Sequence, residues 1–418
     1  MESFIPPGFN LPVAWMVDFS FPLLLKQIQN IDAIILKPED ERMLRTLRHE
    51  RLIYLSNHPS TGEPPVSYHV ANRMGARFNF MASRQVFDWG YGLVGRFIQN
   101  IGAFSIIPGA SDRESLKASR AILAKPRGKL VLYPEGEPTS GENDNLMPFQ
   151  SGIAQLGFWG LDDARKIDAE ADIKILPSFV KYVMVGTDAS IKAELHASLS
   201  KIERRYKIQP GNKNLLRRFL TVGRVLLEET ERDYHVPMAA HDDFDYRIGR
   251  ARHAILDGIA KRVGVHAYNE REDAIHKLRQ ILSTLEMIEL KLKDPRLPAL
   301  SEKELAWAKR EAMKAYDVIV IKPGYLVSRP TAERFFEWLA RFENYVYGST
   351  RPRPRKAHVF FAPVQSLSDF EADYRANKRK GVEKLTNHLR GLTQGLLEQS
   401  LELSQPLVRP GDVDGMDL

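Results

Sequence analysis

Asn57 and His58 stand at the end of an apolar run, Leu52 to Leu55, and an acidic residue, Glu63, follows the histidine across the turn Pro59-Ser60-Thr61-Gly62. A histidine delivered just past a buried strand lies where open α/β sheets place their ligands, and the turn lets the carboxylate fold back to the imidazole. Such a pair makes a general base. The carboxylate fixes the tautomer and stabilises the imidazolium formed when the other ring nitrogen takes a proton. The same spacing is compatible with a loop histidine that merely has a glutamate nearby.

A second cluster bears on the first. The apolar run Leu130 to Tyr133 empties into Pro134-Glu135-Gly136-Glu137-Pro138-Thr139-Ser140-Gly141, and Pro148-Phe149-Gln150-Ser151-Gly152 follows before another helix-like stretch. Parallel topology would bring both loops to one sheet edge, so a single site can draw on both. Glu135 can accept hydrogen bonds from a polyol, and Gly136 permits close backbone approach.

The elements that must position these loops are legible around them. Short apolar runs at 52–55, 78–81, 103–107, 129–133 and 173–182 read as buried strands, separated by helix-like stretches at 65–74, 91–101, 113–124 and 152–159. That alternation predicts an α/β fold with a mainly parallel central sheet flanked by helices. After about residue 188 leucine and isoleucine recur at three- and four-residue spacing, as in Leu278, Ile281, Leu282, Leu285, Ile288 and Leu292, which predicts a large helical insertion. Arg351 to Lys356 alternates basic residues with proline and reads as a linker. A strand over 358–363 follows, then a helix over 368–397 opened by the capping sequence Ser368-Asp369-Phe370-Glu371, with a loose tail from Pro406. The predicted organisation is a helical N-terminal segment (1–40), an α/β core (41–195), the insertion (196–350), a closing strand and helix of the core (351–400) and a tail (401–418).

Composition sets outer bounds. The 418 residues are 43% apolar, ample for a packed core, and contain no cysteine, which excludes disulfide scaffolds, thiolate metal sites and a cysteine nucleophile. The formal charge of +7 favours anionic partners without choosing among them. The stretch from Val13 to Ile28 is apolar and aromatic on one side, and suits either a core helix or a segment resting in a membrane interface. Asp18 and Lys26 interrupt it, so the chain is expected not to span a bilayer, and residues 1–7 lack the pattern of a signal peptide. Residence in the cytoplasm is expected. Gly90 to Gly95 fits a dinucleotide pattern without its strand, and His241 to Asp245 offers ligand types without a second cluster; neither is assigned a site. No nucleic-acid module is recognised.

With both loops in view, the chain resembles the glycerolipid acyltransferase superfamily, whose best-known members are the 1-acylglycerol-3-phosphate and glycerol-3-phosphate acyltransferases. The resemblance runs from about residue 52 to 182 and resumes over 358–397. Asn57, His58 and Glu63 match the first family block, although the family usually has Asp at the acidic position. Tyr133 to Ser140 represents the third block, keeping Pro-Glu-Gly and losing its arginine. Gly102 to Ile107 resembles the start of the second block, without the arginine that normally follows closely. Ile175 to Val180 resembles the fourth block, and Ala362-Pro363-Val364 with the following helix the end of the catalytic domain.

What the resemblance implies is transfer of a fatty acyl group from acyl-CoA or acyl-ACP to a hydroxyl of a glycerolipid or lysophospholipid. His58 would be the general base and Glu63 its partner. Asn57, Glu135 and Gly136 would belong to the substrate-binding region, and Arg84, Arg113 and Lys181 are possible substitutes for the missing arginines, or ordinary surface charge. No cofactor or metal is implied beyond the acyl donor as co-substrate. Peripheral contact with the cytosolic face of a membrane is expected. The rival is a non-catalytic lipid- or partner-binding protein on a diverged acyltransferase fold.

Overall fold

The structure, a computed structural model, describes residues 4–107, 112–136, 141–237, 243–292, 294–320 and 323–409. Pro108, Gly109, Glu137 to Ser140, His241 and Asp242 lie outside them. The chain divides into two compact units, Met1–Val185 with Arg353–Leu403, and Gly186–Pro352 with Ser404–Leu418.

The first unit is built on a mixed, mostly parallel sheet. Its strands are β1 (Ile31–Ile35), β2 (Leu52–Ser56), β3 (Asn79–Ser83), β4 (Ala103–Ile106), β5 (Lys129–Leu132), β6 (Lys174–Met184), β7 (Arg355–Phe361) and the short β8 (Gln365–Ser366). They lie in the order β1-β7-β6-β2-β5-β3-β4, with β8 beside β6. Strands β6, β2, β5, β3 and β4 run parallel; β7 and β8 run antiparallel to β6.

The period-two geometry of a strand explains why β2 is buried along its whole length. Leu52 and Tyr54 face one core with Val66, Val70 and Met74, while Ile53 and Leu55 face the other with Leu123, Leu156 and Leu385. The helices of this unit are α1 (Leu11–Gln29), α2 (Pro38–Thr46), α3 (Glu63–Met74), α4 (Leu93–Asn100), α5 (Arg113–Ala124) and α6 (Gly152–Arg165), joined at the chain's end by two helices given below. Helix α3 begins directly after the His58 loop. Pro64 and Pro65 suit its first turn, where backbone N–H groups have no intrahelical partner.

Helix α1 is long and apolar enough to cross a membrane by length and composition. In the structure Ala14, Val17 and Leu25 are buried, and Asp18 is bound by Arg77, Tyr68 and Asn72. Burial alone would raise the Asp18 carboxyl, but these bonds outweigh it and hold the carboxyl below its ordinary value. Its remaining face carries Leu11, Trp15, Phe19 and Leu23 at four-residue spacing, all exposed.

The second unit is helical: α7 (Asp188–Arg205), α8 (Leu215–Asp233), α9 (Phe244–Val263), α10 (Ala274–Glu289), α11 (Glu302–Val320), α12 (Pro323–Ser328) and α13 (Ala332–Tyr347). Leu278, Ile281 and Leu285 of the predicted stripe are buried against Ile255, Ile259 and Ala312.

Several elements differ from the reading of the sequence. Strand β1 was not anticipated, because five residues containing an aspartate give no clear pattern. Arg355 and Lys356 belong to β7 rather than to a linker: the Arg355 N–H donates to the Asn30 carbonyl at 2.9 Å, and proline ends the constraint at residue 354. Ser368 caps no long helix. Residues 367–370 form a tight turn before α14 (Glu371–Ala376), and Asn377 then caps a separate α15 (Lys378–Ser400). The Ser368 hydroxyl donates to Asp172 at 2.7 Å instead. Pro406 is not loose, since it bridges Thr331, and the Leu407 N–H donates to the Pro330 carbonyl at 2.9 Å.

Candidate active site

The end of β2 delivers Asn57 and His58 into a loop that closes on the head of α3. His58 Nδ1 lies 2.9 Å from Glu63 Oε2, and the glutamate is fully buried. Glu63 also accepts from the Ser60 N–H at 3.0 Å, the Ser60 hydroxyl at 2.8 Å and the Tyr182 hydroxyl at 2.5 Å. Four donors offset the cost of burying a carboxylate, and the helix N-terminus beneath it adds favourable dipoles. With Nδ1 turned to Glu63, the imidazole's Nε2 is the nitrogen left to exchange a proton with a substrate.

Two aromatic rings fix this pair. Tyr133, at the end of β5, stacks on the His58 ring with centroids 4.2 Å apart, and its hydroxyl lies 3.1 Å from Ser67 Oγ. Tyr182, on β6, reaches Glu63 from the other side. Burial and the neighbouring carboxylate push the Tyr182 hydroxyl well above its ordinary range, so it remains a donor.

Glu135 meets His58 but not as an open acceptor. Its Oε1 accepts from the His58 N–H at 2.8 Å, its Oε2 from the Met147 N–H at 2.8 Å, and the side chain is 1% exposed. Burial pushes its carboxyl up against the opposing effect of these two backbone donors. These two bonds give Glu135 a structural role: the carboxylate ties the 141–150 segment to the histidine loop. Gly136 has φ +93°, and a Cβ there would lie 2.0 Å from Gln150 Nε2, so this turn requires glycine.

Asn57 likewise turns inward. Its side chain donates to the Val180 carbonyl at 3.1 Å and accepts from the Val180 N–H at 2.7 Å, acting as one more rung of the ladder beyond the end of β2. Asn143 repeats the device, donating to the Val180 carbonyl at 2.8 Å and accepting from the Tyr182 N–H at 2.6 Å.

The three cations named as possible substitutes for the missing arginines are dispersed. Lys181 is fully buried and ion-paired with Asp144. Arg84 is buried beside Asp88, at 2.9 Å. Arg113 is exposed at the first turn of α5, after β4, which lies three strand positions from β2, about 14 Å at the usual strand spacing. Ser60, Tyr133, Asn143 and Tyr182 were not singled out from the sequence. Only Ser60 gave a local signal, as the serine of the turn preceding Glu63.

The arrangement can abstract a proton: a positioned imidazole, a buried carboxylate behind it, and a glycine-containing turn at its side. Among the curated proteins nothing matches this chain. The family model described as Acyltransferase matches residues 37–179, a span that contains His58, Glu63, Tyr133, Glu135 and Gly136. Residues 37–179 thus carry an acyltransferase domain, similar to that of the glycerolipid acyltransferases.

Proposed function

We propose that this acyltransferase moves a fatty acyl group from acyl-CoA or acyl-ACP to a hydroxyl of a glycerolipid or lysophospholipid, with His58 as general base. The observation that carries the reading is the 2.9 Å contact between His58 Nδ1 and the fully buried Glu63. Nε2 takes the acceptor's hydroxyl proton as its oxygen attacks the thioester carbonyl; the thiolate leaves and accepts that proton. The carboxylate of Glu63 stabilises the imidazolium in between. No covalent acyl-enzyme is needed.

A peripheral place on the cytosolic face of a membrane accords with this chemistry, since the acceptor is a lipid. The exposed stripe Leu11, Trp15, Phe19 and Leu23 on α1 supports it, as do the exposed Trp89, Tyr91 and Leu93. The test is mass spectrometry of lipids after incubating the purified chain with acyl-CoA or acyl-ACP and a lysolipid panel, beside His58→Ala. Acyl transfer lost in the variant is the expected result. Transfer unchanged in the variant would remove the mechanism, and binding of lysolipid without any transfer would favour a non-catalytic lipid-binding protein.

A further inference from the structure

The arginines of the second and third family blocks are missing, and Lys181 and Arg84 are buried against carboxylates. One other cation stands at the histidine loop. Arg355 opens β7, which runs antiparallel to β6 with Arg355 opposite Met184 and Ala357 opposite Tyr182. Because β6 continues past the end of β2, this register sets Arg355 at the sheet edge that presents His58.

The guanidinium lies 3.8 Å from the centroid of the Tyr182 ring, and its Nη2 donates to Ser60 Oγ at 3.4 Å. The same Ser60 hydroxyl donates to Glu63 and the same Tyr182 hydroxyl donates to Glu63, so Arg355 touches both neighbours of the catalytic carboxylate. It does not pair with that carboxylate or, among the described residues, with any other. Gly62 makes the room: a Cβ there would lie 2.9 Å from Arg355 Nη2. A half-buried guanidinium laid on an aromatic ring with one long hydrogen bond keeps most of its five N–H donors for another partner. A planar fork held in place by a ring is suited to the oxygens of a phosphate.

We propose that Arg355 binds a phosphate group carried by a substrate at the His58 site, taking the place of the absent family arginines. The proposal rests on the acyl-transfer reading above. Two sources share this chemistry, the phosphate of a phosphorylated acceptor and the phosphates of the CoA donor.

Kinetics of wild type, Arg355→Lys and Arg355→Met test it with lysophosphatidate against monoacylglycerol, and with acyl-CoA against acyl-pantetheine. If the acceptor supplies the phosphate, Arg355→Met raises KM for lysophosphatidate about 10-fold or more and leaves monoacylglycerol within about twofold. If the donor supplies it, the same split falls between acyl-CoA and acyl-pantetheine. Arg355→Lys recovers part of the loss in either case. Equal losses with and without phosphate on both substrates would overturn the proposal, leaving Arg355 only as support for Tyr182. A second measurement is independent of turnover: glycerol 3-phosphate or CoA, according to the source, raises the melting temperature of the wild-type chain and not of Arg355→Met. No rise in wild type, or the same rise in both, would overturn it. Absence of turnover with any substrate, beside an Arg355-dependent rise, would instead remove the acyl-transfer reading alone.

Discussion

The hydroxyl of Tyr182 donates to Oε1 of Glu63 at 2.5 Å, on the oxygen opposite the one that meets His58. The carboxylate is thus held from both sides by His58, just past the end of β2, and Tyr182, on β6, two strands put in register by the parallel pairing of Ser56 with Ser178. The consequences for variants differ according to which side is disturbed.

Replacing the imidazole removes the proposed base and leaves Glu63 its Ser60 and Tyr182 donors. His58→Ala is expected to fold and to lose about 100- to 10,000-fold in kcat, measured in steady-state assays beside circular dichroism. A loss under tenfold would show that another group takes the proton.

Glu135 separates a structural from a ligand-binding role. Both of its oxygens face backbone N–H groups, so Glu135→Gln turns a donor toward a donor and costs about 1–3 kcal/mol in denaturant unfolding. Weaker acceptor binding with unaltered stability would instead make Glu135 a substrate ligand.

A Cβ at Gly62 would lie 2.5 Å from the Tyr182 hydroxyl oxygen. Gly62→Ala is expected to destabilise the chain by about 1–3 kcal/mol and to depress kcat by displacing Tyr182. Adding Tyr182→Phe removes the clashing atom, so the double variant should be more stable than the sum of the single losses, by about 0.5 kcal/mol or more. Strict additivity would contradict the contact.

Acid stability follows from Asp172, which binds Lys174 at 2.7 Å, Ser366 at 2.5 Å and the Ser368 hydroxyl at 2.7 Å. Burial works against the charge, but these bonds outweigh it and hold the carboxyl down at about 2. A depressed folded-state value means the stabilisation is complete above the ordinary value near 3.8 and is lost as pH falls toward about 2. Thermal unfolding should therefore show Asp172→Asn less stable than wild type at pH 7. The difference should shrink between about pH 4 and pH 2, and a constant difference over that window would refute the assignment.

The outer stripe of α1 contributes little to folding, with Phe19 92% exposed. Phe19→Asp should leave the melting temperature unchanged while weakening vesicle flotation by roughly tenfold, since burying an aromatic side chain contributes about 1.5–3 kcal/mol. Undiminished flotation would place membrane contact elsewhere.

The local content of the site was legible from the sequence. Helix α5 begins and ends where its pattern does, at Arg113 and Ala124, and the parallel sheet follows from strand-helix alternation. His58 and Glu63 lie five residues apart, and one turn is enough to join them. Ser368 misled because a capping sequence is a local preference, whereas the carboxylate of Asp172, 196 residues away, makes the stronger bond.

The roles of the remaining polar groups were decided only in three dimensions. Asn57 finds Val180 across 123 residues, Tyr182 finds Glu63 across 119, and Arg355 reaches Ser60 across 295. The chain alone fixes what a side chain can donate or accept, through its chemistry and the alternation of its strand. Which partner it meets depends on which strands become neighbours, and so Glu135 and Asn57 turned inward while Arg355, in a stretch that reads as a linker, arrived at Ser60 of the histidine loop.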